Sequence, residues 1–365
     1  MSLSGSDISL SGDDPQHAIY MNRCLQLAGL GSGYTAPNPM VGAILVNQGR
    51  IIGEGYHENF GGPHAEVNCI CSVNKNDEQL ISSSTLYVSL EPCAHTGKTP
   101  PCVDLIIRKK IPRVVIGCRD PFPDVDGKGI EKLLSSGVDL LHPVLENECL
   151  DLNKRFIRFH SFRRPYIILK WARSGNGKIA GGSGERIAIS NDYSNRLVHK
   201  WRSEEAGILI GSGTASFDNP QLNTRLWLGK NPVRIIIDRK ARLPDSLHIF
   251  DRKSPTWIFN FEKESVLENL RYIKLDRDSP FLPQILSHLY REGILSILVE
   301  GGAQILKGFI EAGQWDEARL ITNHSLQIEN GIESPELTHA RMTGNESLFS
   351  DNILYYQNEK LPVRI

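Results

Sequence analysis

The chain of 365 residues lacks the features that would assign it to a membrane, to a secreted scaffold or to nucleic acid. No apolar run approaches the roughly 18 residues of a membrane span, and the N-terminus, MSLSGSDISLSGDD, has no basic flank followed by an apolar stretch. Lysine and arginine number 41 against 42 acidic residues, so no excess of positive charge indicates polynucleotide binding. We therefore expect a cytoplasmic protein with no membrane and no nucleic-acid partner.

Cysteine is also scarce, and its number is odd. Seven cysteines stand at positions 24, 69, 71, 93, 102, 118 and 149. In a long chain without an export signal, this usage favours metal ligands or free thiols over a disulfide framework.

A chain of 365 residues is longer than a single hydrophobic core usually supports, so two domains are expected. Over the first part of the chain, helix and strand patterns alternate. A helix that begins near Pro15 and ends near Gly29 or Gly31 precedes a hairpin with strands at 41–46 and 50–56. HAEVNCIC, CVDLIIRKK and GIEKLLSSG have helical patterns, whereas TLYVSL and RVVIGC are typical of buried strands. This order predicts a three-layer α/β sandwich with a mixed sheet at 15–145, after a flexible N-terminus at 1–14.

A charged segment at 146–164 is interpreted as a linker, and a second α/β domain is expected at 165–365. Strands are predicted at 165–172, 206–213, 233–239, 256–260, 296–302 and 318–323. Helices are predicted at 191–202, with Ser190 as the cap, and at 281–292 and 303–313. The residues after about 324 show little pattern.

The strongest chemical signal is the set of His64 and Glu66 in HAEVN with Cys93 and Cys102 in EPCAHTGKTPPC. A catalytic zinc takes three protein ligands and leaves a fourth position to water. Zinc-dependent base deaminases have H-x-E followed by P-C and a second cysteine, and their glutamate is a general acid/base outside the metal shell. The sequence predicts a Zn²⁺ site of His64, Cys93 and Cys102, with Glu66 as the catalytic proton carrier.

A structural zinc site is the alternative, and it would normally be closed by four protein ligands. The nearest further thiols, Cys69 and Cys71, lie in the apolar stretch VNCIC. We expect both in the core, and not at the metal.

Eight residues separate Cys93 from Cys102, whereas the deaminases that edit nucleic acids have two. With NPMVGAILV, GYH before HAEVN, and YVSLEPC, this segment closely resembles the deaminase half of the bifunctional riboflavin-biosynthesis deaminase/reductases. The resemblance implies a cytidine-deaminase-like domain with a pocket for a phosphoribosylaminopyrimidine. By position it implies substrate contacts from Asn38, His57 and His95, with Lys98 and Thr99 near the phosphate.

Glycines end two predicted strands of the second domain, in ILIGSGT and ILVEGGAQIL, where backbone N–H groups can approach an anion. Neither is a G-x-G-x-x-G fingerprint, so a standard dinucleotide-binding Rossmann unit is not supported. With LKWARSGNGKIA, FDNPQLNTR and VRIIIDR, both segments resemble the reductase half of the same family. The resemblance implies a dihydrofolate-reductase-like domain that binds NADPH.

The same resemblance, carried over by position, implies two sets of contacts. The cofactor would be lined by Arg173, Thr214, Asp218, Gly301 and Gly302. The sugar phosphate would be surrounded by Lys170, Arg202, Leu222, Arg225 and Glu300. Arg239 follows a strand and is either a solvated side chain or a contact to the 2′-phosphate of the cofactor.

The second half departs from the family pattern in three places. Arg186 replaces a serine that contacts substrate, and Ala188 replaces a tryptophan that packs near the cofactor. NHSLQIENG stands in place of the usual A-P-K-L-x-G-G segment. The sequence therefore leaves the strength of the reductase site open.

The leading interpretation is an enzyme with two activities in riboflavin biosynthesis. Zinc-dependent hydrolytic deamination of 2,5-diamino-6-ribosylamino-4(3H)-pyrimidinone 5′-phosphate would be followed by NADPH reduction of the ribosyl group to ribityl, and the family resemblance implies a homo-oligomer. Two alternatives stay open. One is a deaminase of guanine or of a tRNA adenosine with an inactive second domain, and the other is a zinc-stabilised binding module without catalysis.

Overall fold

The structure, a computed structural model, describes residues 15–95, 100–122, 125–182 and 187–361. The chain divides into two units, Met1–Ser161 and Phe162–Ile365. The segment expected to be a flexible N-terminus, 1–14, lies outside the described residues.

The first unit contains a five-stranded mixed sheet. Its strands are β1 (Gly42–Asn47), β2 (Arg50–Tyr56), β3 (Thr85–Leu90), β4 (Arg113–Cys118) and β5 (Asp139–Leu141). They lie in the order β2-β1-β3-β4-β5, and β1 is antiparallel to both neighbours while β3, β4 and β5 are parallel. The helices are α1 (Pro15–Gly29), α2 (Ala65–Cys71), α3 (Cys102–Arg108), α4 (Lys128–Ser135), α5 (Glu146–Leu152) and α6 (Lys154–Phe162), with a 3-10 helix at Lys75–Ser83.

Both faces of this sheet are buried, because successive side chains of a strand point to opposite sides. Ala43 and Leu45 of β1 pack in a cluster with side chains of α2, α3 and α4. Ile44 and Val46, on the other face, pack with α1 and α5. This arrangement confirms the predicted three-layer sandwich with a mixed sheet.

The segment interpreted as a linker, 146–164, contains α5 and α6. Cys149 of α5 is fully buried in the cluster that α1 forms with the sheet. Asn153, just after α5, donates to Met40 O at 2.9 Å and accepts from Met40 N at 2.8 Å. These contacts hold most of the segment on the first unit, and the division of the chain falls after Ser161. The domain limits 15–145 and 165–365 stay predictions.

The second unit has more strands, and its main sheet is largely parallel. The strands are β6 (Tyr166–Ser174), β7 (Lys178–Ala180), β8 (Gly207–Gly211), β9 (Val233–Ile237), β10 (Thr256–Asn260), β11 (Ser265–Leu267), β12 (Leu270–Lys274), β13 (Ser296–Val299), β14 (Glu317–Asn323), β15 (Ile332–Glu333), β16 (Ala340–Leu348) and β17 (Asp351–Asn358). The helices are α7 (Asp192–Glu204), α8 (Ser212–Asp218), α9 (Phe281–Arg291) and α10 (Ala303–Glu311), with a 3-10 helix at His248–Phe250.

The described strands form a ten-stranded sheet in the order β11-β12-β10-β9-β8-β13-β6-β14-β17-β16, and β15 pairs separately with β7. Ile167 and Leu169 of β6 pack with α9 and α10 on one face. Tyr166 and Ile168 pack with α7 on the other. Helices therefore cover both faces at the centre of this sheet as well.

Two local predictions for these elements were wrong. Asn191, and not Ser190, caps α7, because its side chain accepts from the N–H groups of Tyr193 and Ser194. Cys71 ends α2 and is exposed, whereas Cys69 is in the core as expected. The region after 324, where the sequence shows little pattern, contains the hairpin of β16 and β17. This hairpin was not predicted because β16 is an edge strand with mostly exposed side chains, which give no apolar run.

Within the described part of the chain, no helix combines the length and the apolar character needed to cross a membrane.

Gly42 should be sensitive to substitution because β1 begins where α1 lies closest to it. A Cβ there would stand 2.0 Å from Cys24 O and 2.8 Å from Ala28 N, and backbone atoms cannot yield. We expect Gly42→Ala to lower the free energy of unfolding of the first unit by about 1 to 3 kcal/mol. Gly29→Ala, at the end of the same helix, meets nothing within 4 Å and is the matched control. Scanning calorimetry measures both, and equal melting temperatures would contradict the expectation.

Candidate active sites

Three predicted metal ligands meet at one end of the first unit. His64 directly precedes α2, Cys102 begins α3, and Cys93 lies in the loop after β3. His64 Nδ1 stands 3.5 Å from Cys93 Sγ and 3.4 Å from Cys102 Sγ. Tetrahedral zinc, with bonds of about 2.0 Å to nitrogen and 2.3 Å to sulfur, separates such ligands by about 3.6 Å. The residues therefore fit Zn²⁺, and among the described residues this cluster consists of these three side chains.

The protons of the cluster are shared unequally between the two thiols. The hydrogen bond from the Cys102 thiol lowers the pKa of Cys93, with further help from His64 and from the Cys102 N–H at 3.4 Å, although burial opposes it. The same contact, together with burial, raises the pKa of Cys102. A thiolate is therefore already favoured at Cys93 before a metal binds, and metal binding requires thiolates.

Glu66 is buried next to this cluster, in the first turn of α2. Burial raises the pKa of its carboxyl, the charge of Cys93 adds to the effect, and His64 opposes it. The carboxyl is also within hydrogen-bonding reach of the Cys102 thiol. A carboxyl that holds a proton readily and lies beside a metal cluster has the properties of a proton carrier.

A cavity of about 350 Å³ opens over the cluster, and the three predicted substrate contacts of this half line it. Asn38 Nδ2 donates to His57 Nε2 at 3.1 Å, and His57 Nδ1 lies 2.9 Å from Pro63 O. Because a carbonyl oxygen only accepts hydrogen bonds, His57 carries its proton on Nδ1. Burial lowers the pKa of His57 below its ordinary value, which favours the neutral ring. His95 lines the same cavity, and its buried Nδ1 has no hydrogen-bond partner among the described residues. Lys98 and Thr99 lie outside the described residues.

Glu91 anchors the loop that carries Cys93, a role that the sequence analysis missed. Its buried carboxylate accepts from four backbone N–H groups at 2.9 to 3.3 Å, those of Asp120, Gly127, Gly129 and Ile130. Glu91 stands two residues before Cys93, so this carboxylate fixes the loop against the start of α4. The glutamate in the motif E-P-C was the available signal.

Other cavity residues were missed because they are distant from the motif. Asp120 lies on the wall, and burial raises the pKa of its carboxyl to about 7. Phe122, Phe156 and His160 also line the cavity. No local pattern in a single sequence connects them to residues 64–102.

The predicted sugar-phosphate contacts of the second unit include a buried ionic cluster. Arg202 of α7 pairs with Glu300 through two hydrogen bonds, Nε to Oε1 at 2.6 Å and Nη2 to Oε2 at 2.8 Å. Lys170 of β6 lies 3.8 Å from Glu300 Oε2. His199, on the same helix as Arg202, is buried, and its Nδ1 has no partner within the part of the chain that the structure describes. The sequence analysis also missed this residue. Burial, with the charge of Arg202, lowers the pKa of His199 to about 4.

Part of the predicted cofactor site is also assembled. The parallel strands β8 and β13 are neighbours, so Thr214 in α8 and the glycines after Glu300 meet at their carboxyl ends. Gly301 and Gly302 have φ angles of 117° and 70°, which favour glycine. A Cβ on Gly302 would lie 3.1 Å from Thr214 Oγ1. This backbone cradle at the start of α10 fits a phosphate-bearing cofactor such as NADPH.

The structure also places the remaining predicted residues. Leu222 is buried with a φ of 51°, and Arg225 is exposed and donates to Asn223 Oδ1 at 3.0 Å. Asp218 ends α8, and Arg173 Nε donates to Thr322 Oγ1 at 3.1 Å. The guanidinium of Arg239 lies over the Phe281 ring at 4.3 Å from its centroid.

Of the three departures from the family pattern, Arg186 lies outside the described residues and Ala188 is exposed. The segment NHSLQIENG packs against the turn after β6. Gly175 N donates to Leu326 O at 2.8 Å, and Asn176 Nδ2 donates to Ile328 O at 3.0 Å. The replacement is therefore an ordered part of the second unit.

The two halves match two protein families. Residues 14–118 match the cytidine and deoxycytidylate deaminase zinc-binding region, and residues 165–323 match the RibD C-terminal domain. The fold and the sites define a bifunctional enzyme, a zinc-dependent deaminase joined to an NADPH-dependent reductase. The riboflavin biosynthesis protein RibD of Bacillus amyloliquefaciens is 39% identical over 307 residues, 82% of each chain. That of Aquifex aeolicus is 37% identical over 350 residues, 93% of this chain and 97% of the relative. The chain belongs to the RibD family of riboflavin biosynthesis.

Solved structures agree with this assignment. A diaminohydroxyphosphoribosylaminopyrimidine deaminase/5-amino-6-(5-phosphoribosylamino)uracil reductase from Thermotoga maritima is 36% identical, with a TM-score of 0.86 over 94% of this chain and 99% of that one. RibD from Acinetobacter baumannii, at 29% identity, gives a TM-score of 0.85 over the same shares. Because the matches cover both halves, a deaminase of another base with an inactive second domain is not favoured.

The ionic cluster predicts a pH dependence of stability. Burial alone would raise the pKa of Glu300, but the charges of Arg202 and Lys170 lower it to about 2. As pH falls, the unfolded chain therefore binds this proton first, near its ordinary value of 4.5, and the stabilisation is lost between about pH 4.5 and 2. We expect the advantage of wild type over Glu300→Gln in free energy of unfolding to shrink by about 2 kcal/mol between pH 7 and pH 3.

Denaturant unfolding followed by tryptophan fluorescence measures this difference. All five tryptophans, at positions 171, 201, 227, 257 and 315, belong to the second unit, so the signal reports that unit alone. An advantage that stays constant over this pH range would contradict the ionic assignment.

Proposed function

We propose that this chain deaminates 2,5-diamino-6-ribosylamino-4(3H)-pyrimidinone 5′-phosphate and then reduces the ribosyl group of the product to ribityl. The observation that carries the proposal is the meeting of His64, Cys93, Cys102 and buried Glu66 at a cavity of about 350 Å³. That volume lies in the range of roughly 300 to 1,000 Å³ that holds a small ligand. The name of the Thermotoga maritima relative supports the choice of substrate.

In the deaminase half, His64, Cys93 and Cys102 would hold the zinc ion. When bound, zinc supplies the electrostatic stabilisation that brings the pKa of a water molecule towards 7. Glu66 takes a proton from the attacking water and gives it to the departing amine, so that water and the amino compound become the carbonyl compound and ammonia. Buried and reachable from the cavity, Glu66 can hold this proton away from bulk solvent.

The polar wall of the cavity would orient the base. The proton on His57 Nδ1 is fixed by Pro63 O, so Nε2 accepts from Asn38 and sets the direction of its amide. The other edge of the Asn38 amide is then available to the pyrimidine. His95, whose Nδ1 has no partner in the described ranges of the chain, offers a second polar contact.

In the reductase half, Arg173, Thr214, Asp218, Gly301 and Gly302 would line NADPH. When bound, NADPH supplies the hydride that converts ribosyl to ribityl. The two glycines let backbone N–H groups approach the cofactor, since Gly302 has no side chain to meet Thr214. The altered positions Arg186 and Ala188 do not carry this proposal.

The ribosyl phosphate would be surrounded by Lys170, Arg202, Leu222, Arg225 and Glu300. The contacts of Arg202 argue for a different role for this residue than a direct contact to the phosphate. The guanidinium of Arg202 already pairs with Glu300 on two nitrogens and with Asn223 O at 3.2 Å on the third. We assign Arg202 to positioning Glu300, which binds sugar hydroxyls, and exposed Arg225 to the phosphate.

Glu66→Gln separates the two activities. The amide keeps the size of the side chain but cannot carry the proton, so we expect ammonia release to fall by about 10²-fold or more. Zinc content, measured by plasma emission spectrometry, stays at the wild-type level because Glu66 is not a ligand. NADPH oxidation with the deaminated intermediate also stays unchanged.

Each assay of this variant tests a separate part of the proposal. Unaltered ammonia release by Glu66→Gln would overturn the role of Glu66. Absence of NADPH oxidation in both the variant and wild type would overturn the reductase assignment. A fourth protein ligand in X-ray absorption of the zinc enzyme would favour the structural-site alternative.

A cytoplasmic homo-oligomer without nucleic-acid or membrane partners is proposed on the sequence argument. All seven cysteines are free thiols, which supports a reducing compartment. The oligomeric state stays a prediction, and light scattering of the purified chain measures it.

A further inference from the structure

Several aromatic rings form one wall of the deaminase cavity. His95 lies 6.1 Å from Phe122, centroid to centroid, and Phe122 lies 4.9 Å from His160 in an edge-on contact. Phe156, which also lines the cavity, and Phe159 lie 4.4 and 5.2 Å from His160, centroid to centroid. Phe122 and His160 both line the cavity, and neither was used in the assignment above.

His160 differs from the other rings because it brings polar atoms to an apolar wall. It is half-buried, and no described residue gives a hydrogen bond to its ring nitrogens. Burial lowers its pKa to about 4, so the ring is neutral at pH 7 and offers one donor and one acceptor. The three phenylalanines pack against the His160 ring. Being apolar, they make no hydrogen bond to its two nitrogens, which are therefore available to a ligand.

The position of the metal cluster decides which part of a ligand reaches this wall. The amine-bearing carbon has to lie at Glu66, with the base against Asn38, His57 and His95. Because Phe122 lies next to His95 and His160 lies next to Phe122, a substituent on that base has a path along Phe122 towards His160. A phosphate would call for a cation such as arginine or lysine, whereas a neutral imidazole suits a hydroxyl group.

We propose that Phe122 and His160 recognise the ribosyl group in the deaminase site, with Phe122 packing against the sugar and His160 hydrogen-bonding one of its hydroxyls. This inference rests on the proposed function and extends it to the residues that select a ribosylated base. His160 is a substrate-binding residue on this assignment and takes no part in proton transfer.

His160→Phe is the sharpest variant, because it keeps a ring against Phe122, Phe156 and Phe159 and removes only the polar atoms. We expect KM of the ribotide for ammonia release to rise about tenfold, the effect of one lost hydrogen bond. We expect kcat, zinc content and melting temperature to stay at wild-type values. Phe159→Leu is the control for packing behind His160, since Phe159 does not line the cavity.

Substrates that lack the 2′- or the 3′-hydroxyl locate the contact. One of them should raise KM about tenfold in wild type but not in His160→Phe, because the partner is already missing. An unchanged KM in His160→Phe, a fall in kcat or zinc content, or a KM change that is additive with both deoxy substrates would overturn the inference. If wild type releases no ammonia from the ribotide, the proposed function itself fails, and this outcome is distinct from the others.

Discussion

The metal end of the first unit depends on one buried carboxylate, that of Glu91. An ionised group without partners is costly inside a protein, so Glu91 is tolerable only because four backbone N–H groups surround it. The glycines of the DGKG turn make this possible. Gly127 has a φ of 87°, and a Cβ on Gly129 would stand 2.1 Å from Pro92 O. The loop of Cys93 therefore keeps its place because glycines stand directly before and after Lys128, the first residue of α4.

A second carboxylate occupies an equivalent place in the other unit but is satisfied differently. Glu91 follows the last residue of β3, and Glu300 follows the last residue of β13. Backbone donors hold all sides of Glu91, which leaves it a structural role. Glu300 is instead held by the side chains of Arg202 and Lys170. Side chains can rearrange around a ligand, and this freedom is consistent with the sugar contact proposed for Glu300.

Much of the fold was predictable because most strands are buried on both faces and read as continuous apolar runs. TLYVSL and RVVIGC became β3 and β4 at the expected residues. Prediction failed where burial is one-sided or absent, as in the hairpin of β16 and β17. It also failed at Cys71, because an apolar neighbourhood in sequence does not fix which side of a seven-residue helix faces the core.

The two sites differed in predictability because they use different parts of the chain. Deamination needs one imidazole, two thiols and one carboxylate. Each of these groups belongs to a residue type that can be recognised directly in the sequence. The cofactor site proposed for the second unit relies on the backbone of Gly301 and Gly302, and many unrelated turns have the same residue types. Residues such as Asp120 and His160 leave no local signal at all, because only folding brings them to residues 64–102. A single sequence therefore reveals the reacting groups first and the groups that select the substrate last.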